Sequence, residues 1–228
     1  MKKLLALVFS FCLMFLPFIS VEAASNPTSK DLQAKFKVLQ TKYNIEQVDI
    51  QTIPKDKILH FNSMEEFQNF VEDLKSHPKD FSKEISVSTE KSPNLGIPFS
   101  INQNTVTPMV TANYYDSDAI SWWAPFSGWG MTGLACWHNV AFDYQWYWYY
   151  GHPRFQDSSV ANIDSYLTGL NVAWWQQTSK SYNLTTTYYT NDTARFRIYG
   201  NYVLGVDISG FTLGAKISDS WTCSLRIY

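Results

Sequence analysis

From Phe142 to Tyr150 the chain alternates: Phe142, Tyr144, Trp146, Trp148 and Tyr150 take every second position, with Asp143, Gln145, Tyr147 and Tyr149 between them. A strict period of two predicts a strand with one face turned inward. Ser181 to Tyr189 and Ala194 to Tyr202 repeat the pattern around Thr190-Asn191-Asp192-Thr193, an expected hairpin turn. Val203 to Ile208 and Phe211 to Ile217 flank Ser209-Gly210, and Trp221 to Ile227 closes the series. Short strands separated by turn residues predict an all-β unit, a sandwich or barrel, over residues 105–228. Only Ser158 to Leu167 leaves room for a short helix.

The period changes nearer the start. Leu32, Phe36, Leu39 and Tyr43 fall at spacings of 4, 3 and 4, with Lys30, Lys35, Lys37 and Lys42 on the other faces, which predicts an amphipathic helix. Ile58 to Phe61 reads as a short strand. Ser63 with Glu66 then forms a capping box ahead of a second helix that buries Phe67, Phe70, Val71 and Leu74 and stops at Pro78. The fold class expected is therefore α+β, a small helical segment over 25–76 ahead of the all-β unit. A helical unit that small has a marginal core by itself. Residues 77–104, with Pro78, Pro93, Pro98 and Gly96, read as a linker.

Lys2 and Lys3 precede an almost wholly apolar run from Leu4 to Ile19, and Val21-Glu22-Ala23-Ala24 offers small residues for a signal peptidase. Residues 1–24 are thus expected to be a secretory signal, cleaved after Ala23 or Ala24. The run is shorter than the roughly 20 residues a spanning helix needs, and Phe11 before Cys12 argues against a lipoprotein. The expected localisation is secreted.

Composition splits at about residue 100. All 9 Trp lie beyond it, and that half has Asp but no Glu, whereas the stretch from Ser25 to Ser100 is rich in Lys, Asp and Glu. Neither half carries a charge that points to nucleic acid. With the signal removed, Cys136 and Cys223 remain. An even pair in an exported chain is expected to form a disulfide.

Catalytic motifs are sparse. The all-β unit holds eight Asp, of which Asp143 in the aromatic strand is the best acid candidate. No Gly-x-Ser-x-Gly elbow is present. Cys136 lies two residues before His138, but a thiol nucleophile conflicts with the expected disulfide. His138 and His152 are too far apart for a zinc pair. Asp116-Ser117-Asp118 is at most half a calcium loop. No cofactor and no metal are implied.

The aromatic content carries the functional expectation. Neighbours on a strand point opposite ways, so Tyr147 and Tyr149 turn away from the core side of their strand. One ring of each pair, Trp122-Trp123 and Trp174-Trp175, does the same. These residues, with Gln145 and Gln176 beside them (and Gln177 and Asn171 nearby), are the candidate ligand-binding surface. An exposed aromatic patch has a partner. Sugar rings stack on Trp and Tyr while amides take their hydroxyls, so polysaccharide or the cell surface is the first expectation and a non-catalytic binding protein the function. The alternative is a secreted antimicrobial or membrane-active toxin made as a proprotein, since Trp and Tyr also favour the membrane interface and the stretch from Lys79 to Lys91 is easily cleaved.

Tyr202-Val203-Leu204-Gly205-Val206-Asp207-Ile208 and Leu213-Gly214-Ala215-Lys216-Ile217-Ser218-Asp219-Ser220-Trp221-Thr222-Cys223 resemble the last third of uncharacterised secreted proteins of Gram-positive bacteria with a C-terminal Trp/Tyr-rich β domain. The resemblance implies a bacterial, extracellular setting and assigns no site residue.

Overall fold

A computed structural model describes residues 28–76, 80–88, 113–124, 136–169 and 173–228. The expected signal peptide lies outside these residues, as does much of the expected linker. In chain order the elements are α1 (Ser29–Tyr43), β1 (Ile45–Val48), β2 (Ile58–Phe61), α2 (Met64–Ser76), β3 (Asp80–Ile85), β4 (Tyr114–Trp123), β5 (Cys136–Tyr149), β6 (His152–Phe155), β7 (Ala161–Gly169), β8 (Trp174–Thr185), β9 (Thr193–Ile208) and β10 (Phe211–Ile227). The bulk is β, with two α-helices near the start of the described chain.

One long hairpin organises the rest. β9 and β10 pair antiparallel from Phe211↔Ile208 to Arg226↔Thr193, turning at Ser209 and Gly210, both with positive φ. The breaks expected at Val203 and between Ile217 and Trp221 do not occur. Alternation is lost from Gly200 to Val206 because both faces of β9 are buried there, so the period of two vanishes while the strand continues. β1 and β3 line the outer edge of β10, antiparallel and parallel respectively, and β2 and β8 line β9, completing a six-stranded sheet. In the second sheet, of four strands, β5 is central: β4 pairs with one edge, β6 and β7 with the other. β7 occupies the stretch where a short helix was expected; its alternating Ile163 and Ser165 face inward.

The two sheets face each other along the root of the hairpin. Phe142 of β5 packs on Phe196 of β9, ring centroids 4.2 Å apart, and His138 packs on Trp221 at 4.1 Å. Their edges are joined by side chains. Phe81 stacks on Trp122 and Lys83 Nζ lies 2.7 Å from Asp118 on the β3–β4 side. Trp175 Nε1 donates to Ser165 Oγ at 2.9 Å on the β7–β8 side. Toward the hairpin tip the helices take over. Phe67 and Phe70 of α2 pack on Phe61, and register sets Phe61 beside Ile208 and Ile45 beside Ile217.

The helices are thus not a separate unit, because β1 and β2 are built into the six-stranded sheet. Getting from β1 on one edge to β2 on the other requires the chain to cross the hairpin. It crosses over Gly205 and Gly214, which pair directly. A Cβ on Gly205 would lie 2.7 Å from Ile58 Cγ1, and one on Gly214 2.7 Å from the Val48 carbonyl oxygen. The helix entry follows the expected capping box with one change: Glu66 N–H donates to Ser63 Oγ at 3.1 Å, but the Glu66 carboxylate reaches the Asn62 N–H, at 2.7 Å.

Two expectations are corrected. Residues 80–85 of the expected linker form β3, whose Lys, Ser and Glu hid a strand made by its pairing with Thr222–Ile227. Cys136 and Cys223 are buried thiols, not a disulfide. Cys223 pairs with Phe196, which packs on Phe142. It is therefore level with a point six residues along β5 from Cys136, about 20 Å at the rise of a strand, whereas a disulfide needs Cα atoms within about 7 Å.

Candidate functional site

Strand register assembles the outward face of the four-stranded sheet from three strands. Trp123 of β4 pairs with Trp137 of β5, and Trp137 with Thr168 of β7. The next outward row is Ser121, Asn139 and Tyr166, then Ala119, Ala141 and Asp164, and beyond them Tyr115 with Gln145 and Tyr147 with Arg154. The Trp123 and Trp137 rings stack, centroids 5.1 Å apart and 27° from parallel. Tyr149 carries the Arg154 guanidinium over its ring at 4.1 Å. From Trp137 to Tyr147 this face runs about 33 Å along β5.

Polar side chains between the rings are already oriented. Ser121 Oγ donates to Asn139 Oδ1 at 2.7 Å, and Asn139 Nδ2 donates to Thr168 Oγ1 at 2.9 Å. Farther along, Ser117 Oγ and Asn162 Nδ2 donate to the two oxygens of Asp143, each at 2.6 Å. The Ser117 hydroxyl, then the Asn162 amide, hold the Asp143 carboxyl below its ordinary range. A carboxyl held ionised is a poor proton donor, so the best acid candidate of the sequence is an acceptor in a hydrogen-bonded row.

The alternation expected of the Trp pairs is present, but it divides the candidates among three places. Trp123 is 58% exposed and Trp122 8%; Trp174 is 51% exposed and Trp175 6%. Trp122 and Trp175 are core. Trp174 pairs with Val203 and Gln176 with Asn201, which puts them on the outward face of the six-stranded sheet, across the molecule from Trp123. Tyr147, Tyr149 and Gln145 share the Trp123 face, half-buried. Asn171 lies outside the described residues. Sequence reasoning missed Trp137, Tyr166, Asn139 and Thr168 as members of the face. Alternation from Ile163 to Leu167 signals Tyr166 as outward, but its place beside Asn139 depends on a register no single strand reveals.

The Cys136–His138 pair is interior. Burial pushes the Cys136 thiol up to about 11, the reverse of nucleophile activation, and His138 Nε2 hydrogen-bonds Tyr202 Oη at 2.7 Å. Among the described residues no group of three or more His, Cys, Asp or Glu is placed to hold a metal ion, and no helix is long and apolar enough to cross a membrane. Comparison of the chain with protein-family models, with curated proteins and with solved structures finds no match.

Proposed function

We propose that this is an exported, non-catalytic binding protein, a β-sandwich with a helical cover at one end, that lays the outward face of its four-stranded sheet on a polysaccharide of the cell envelope. The observation that carries this reading is the stacked Trp123–Trp137 pair, continued on the same face by Tyr166 and by a row of Ser, Asn and Thr side chains in fixed hydrogen bonds. Pyranose rings offer C–H faces to indoles and hydroxyls to polar side chains, and this surface sets exposed rings beside the Ser121 and Thr168 hydroxyls, which the buried Asn139 amide holds in place. Its length suits several sugar rings in a row rather than one. Aromatic rings bring large contact area at little conformational cost.

The test is co-sedimentation of the purified protein with cell walls and insoluble glycans, run beside liposomes. Retention on glycan should fall about tenfold in Trp123→Ala and in Trp137→Ala, the loss expected of a ring at the centre of a contact. Trp174→Ala, on the opposite face, should leave it unchanged. Sedimentation with liposomes and not glycan, accompanied by dye leakage, would replace this reading with the membrane-active one.

A further inference from the structure

Charge is unevenly distributed over the aromatic face of the four-stranded sheet. β4, β5 and β7, which form most of it, contain no Lys and no Arg. They contribute two outward carboxylates instead. Asp164 pairs with Ala141, four residues along β5 from Trp137, and Asp143, which pairs with Ser117, lies two residues farther. At the rise of a strand they are level with points about 13 and 20 Å from Trp137, between the Trp123–Trp137 stack and the end that carries Tyr115 and Tyr147. The cation that register brings to this face, Arg154, lies past both of them and holds its guanidinium over the Tyr149 ring.

Both carboxylates are accessible. Asp164 is exposed, and the rest of its row is the Ala119–Ala141 pair, so the row holds no large side chain. Asp143 is half-buried, and each of its oxygens accepts one side-chain donor, from Ser117 and from Asn162. A carboxylate oxygen has two lone pairs, so one on each oxygen is left for a ligand. The Ser117 hydroxyl first, then the Asn162 amide, keep that carboxyl below its ordinary range. The rings on either side, Trp123, Tyr166 and Tyr115, are exposed as well.

A polymer long enough to touch both aromatic ends has to pass over these two groups. A neutral glycan strips water from two carboxylates and returns no charge, which is costly. An acidic glycan is repelled. A glycan with protonated amines meets both with charge-assisted hydrogen bonds while its rings stack on the aromatics. We infer that the polymer taken by this face is an amino-sugar glycan whose amines are free rather than acetylated, with Asp143 and Asp164 as their counter-ions. The inference rests on the proposed function, since it names the ligand class of the same face. Each ammonium carries three N–H donors, enough to fill the open lone pairs of a carboxylate. Acetylation removes the charge and sets a methyl group against the carboxylate instead.

Calorimetric titration of the purified protein with oligomers of glucosamine, of N-acetylglucosamine and of lysine, matched in length, tests it. The glucosamine oligomer should bind at least about tenfold more tightly than the acetylated one. Added salt should weaken the first and leave the second nearly unchanged. Asp143→Asn and Asp164→Asn, with the fold retained by circular dichroism, should each lower affinity for the glucosamine oligomer about tenfold and leave the acetylated one alone, whereas Trp123→Ala should weaken both. Glu65→Gln, which takes one charge from the exposed side of α2, should change neither. Equal or tighter binding of the acetylated oligomer, lysine-oligomer binding as tight as that of glucosamine, or unaffected Asp143→Asn and Asp164→Asn variants would each overturn the inference. Binding of the acetylated oligomer alone, lost in Trp123→Ala, would overturn the charge assignment and leave the polymer face standing; failure of every glycan to bind would overturn both.

Discussion

The indole of Trp175 lies flat on the indole of Trp221, ring centroids 3.9 Å apart and planes within 18°. Trp175 reaches that position over Gly200, where a Cβ would come within 2.7 Å of its Cε2. Trp221 Nε1 donates to Tyr202 Oη at 3.1 Å, the same hydroxyl that His138 Nε2 meets. Every polar atom named here is buried, so the stack is both apolar core and the anchor of a polar network. Trp221→Ala should cost about 3–5 kcal/mol, read as a lowered urea midpoint. Gly200→Ala should be destabilising out of proportion to one methyl group, because the ring has nowhere to go.

At the other end of the hairpin, Gly205→Ala and Gly214→Ala should each cost about 1–3 kcal/mol through overpacking. The added methyl meets Ile58 in the first case and the Val48 carbonyl and Ile53 in the second. Thermal melts followed by circular dichroism would show it. Gly151, with φ +79 and nothing within 4 Å of an added Cβ, makes a control in which only backbone strain is introduced.

Asp192 closes the loop between β8 and β9. Burial opposes its charge, but the N–H groups of Tyr189, Thr187 and Tyr188 and the Thr193 hydroxyl outweigh that and hold its carboxyl below the ordinary 3.8. The folded pKa is depressed, so the stabilisation is complete above the unfolded value and is lost as pH falls through the folded one. Asp192→Asn should therefore cost about 2 kcal/mol at neutral pH. The gap from the native protein should shrink as the pH drops below 3.8.

The two core cysteines should behave as inert thiols. Burial raises Cys136 to about 11 and Cys223 to about 12. A chromogenic thiol reagent at pH 8 should label neither in the native protein and both in guanidinium. Adding a reductant should leave the melting temperature unchanged. A disulfide would leave both unlabelled even in guanidinium, and reductant would then lower the melting temperature.

Ala119 and Ala141 pair at the middle of the outward aromatic face, leaving a shallow gap between the Trp123 and Tyr115 ends. Ala141→Arg should fill it and lower glycan retention at least about tenfold with every ring still in place. Unchanged retention would mean the two ends of the face do not act on one ligand.

Local pattern carried much of this fold. The helical spacing of Leu32, Phe36 and Leu39, the period of two through Phe142, Tyr144 and Trp146, and the split of each Trp pair into one core and one exposed ring are all properties of single elements, and all are present. What escaped depends on partners. β3 is polar on its open side and is a strand because Thr222–Ile227 lie beside it. β9 looked like two strands because helices, a crossing loop and the facing sheet bury both its sides. Cys136 and Cys223 looked like a pair because a count of two says nothing about which sheet holds each. The aromatic face was half legible: alternation marks Trp123 and Tyr147 as outward, but only register joins them to Trp137 and Tyr166.

β10 also fixes when the protein can assemble. It follows all its partners in the chain, and β1 and β3, which lie on its outer edge, are made more than a hundred residues ahead of it. Until residues 211–227 emerge, the six-stranded sheet has no middle, and β1 and β3 have nothing to hold. A polypeptide ordered this way cannot complete its larger sheet from a nascent amino-terminal piece, because the strand that its edges pair with is the last one made.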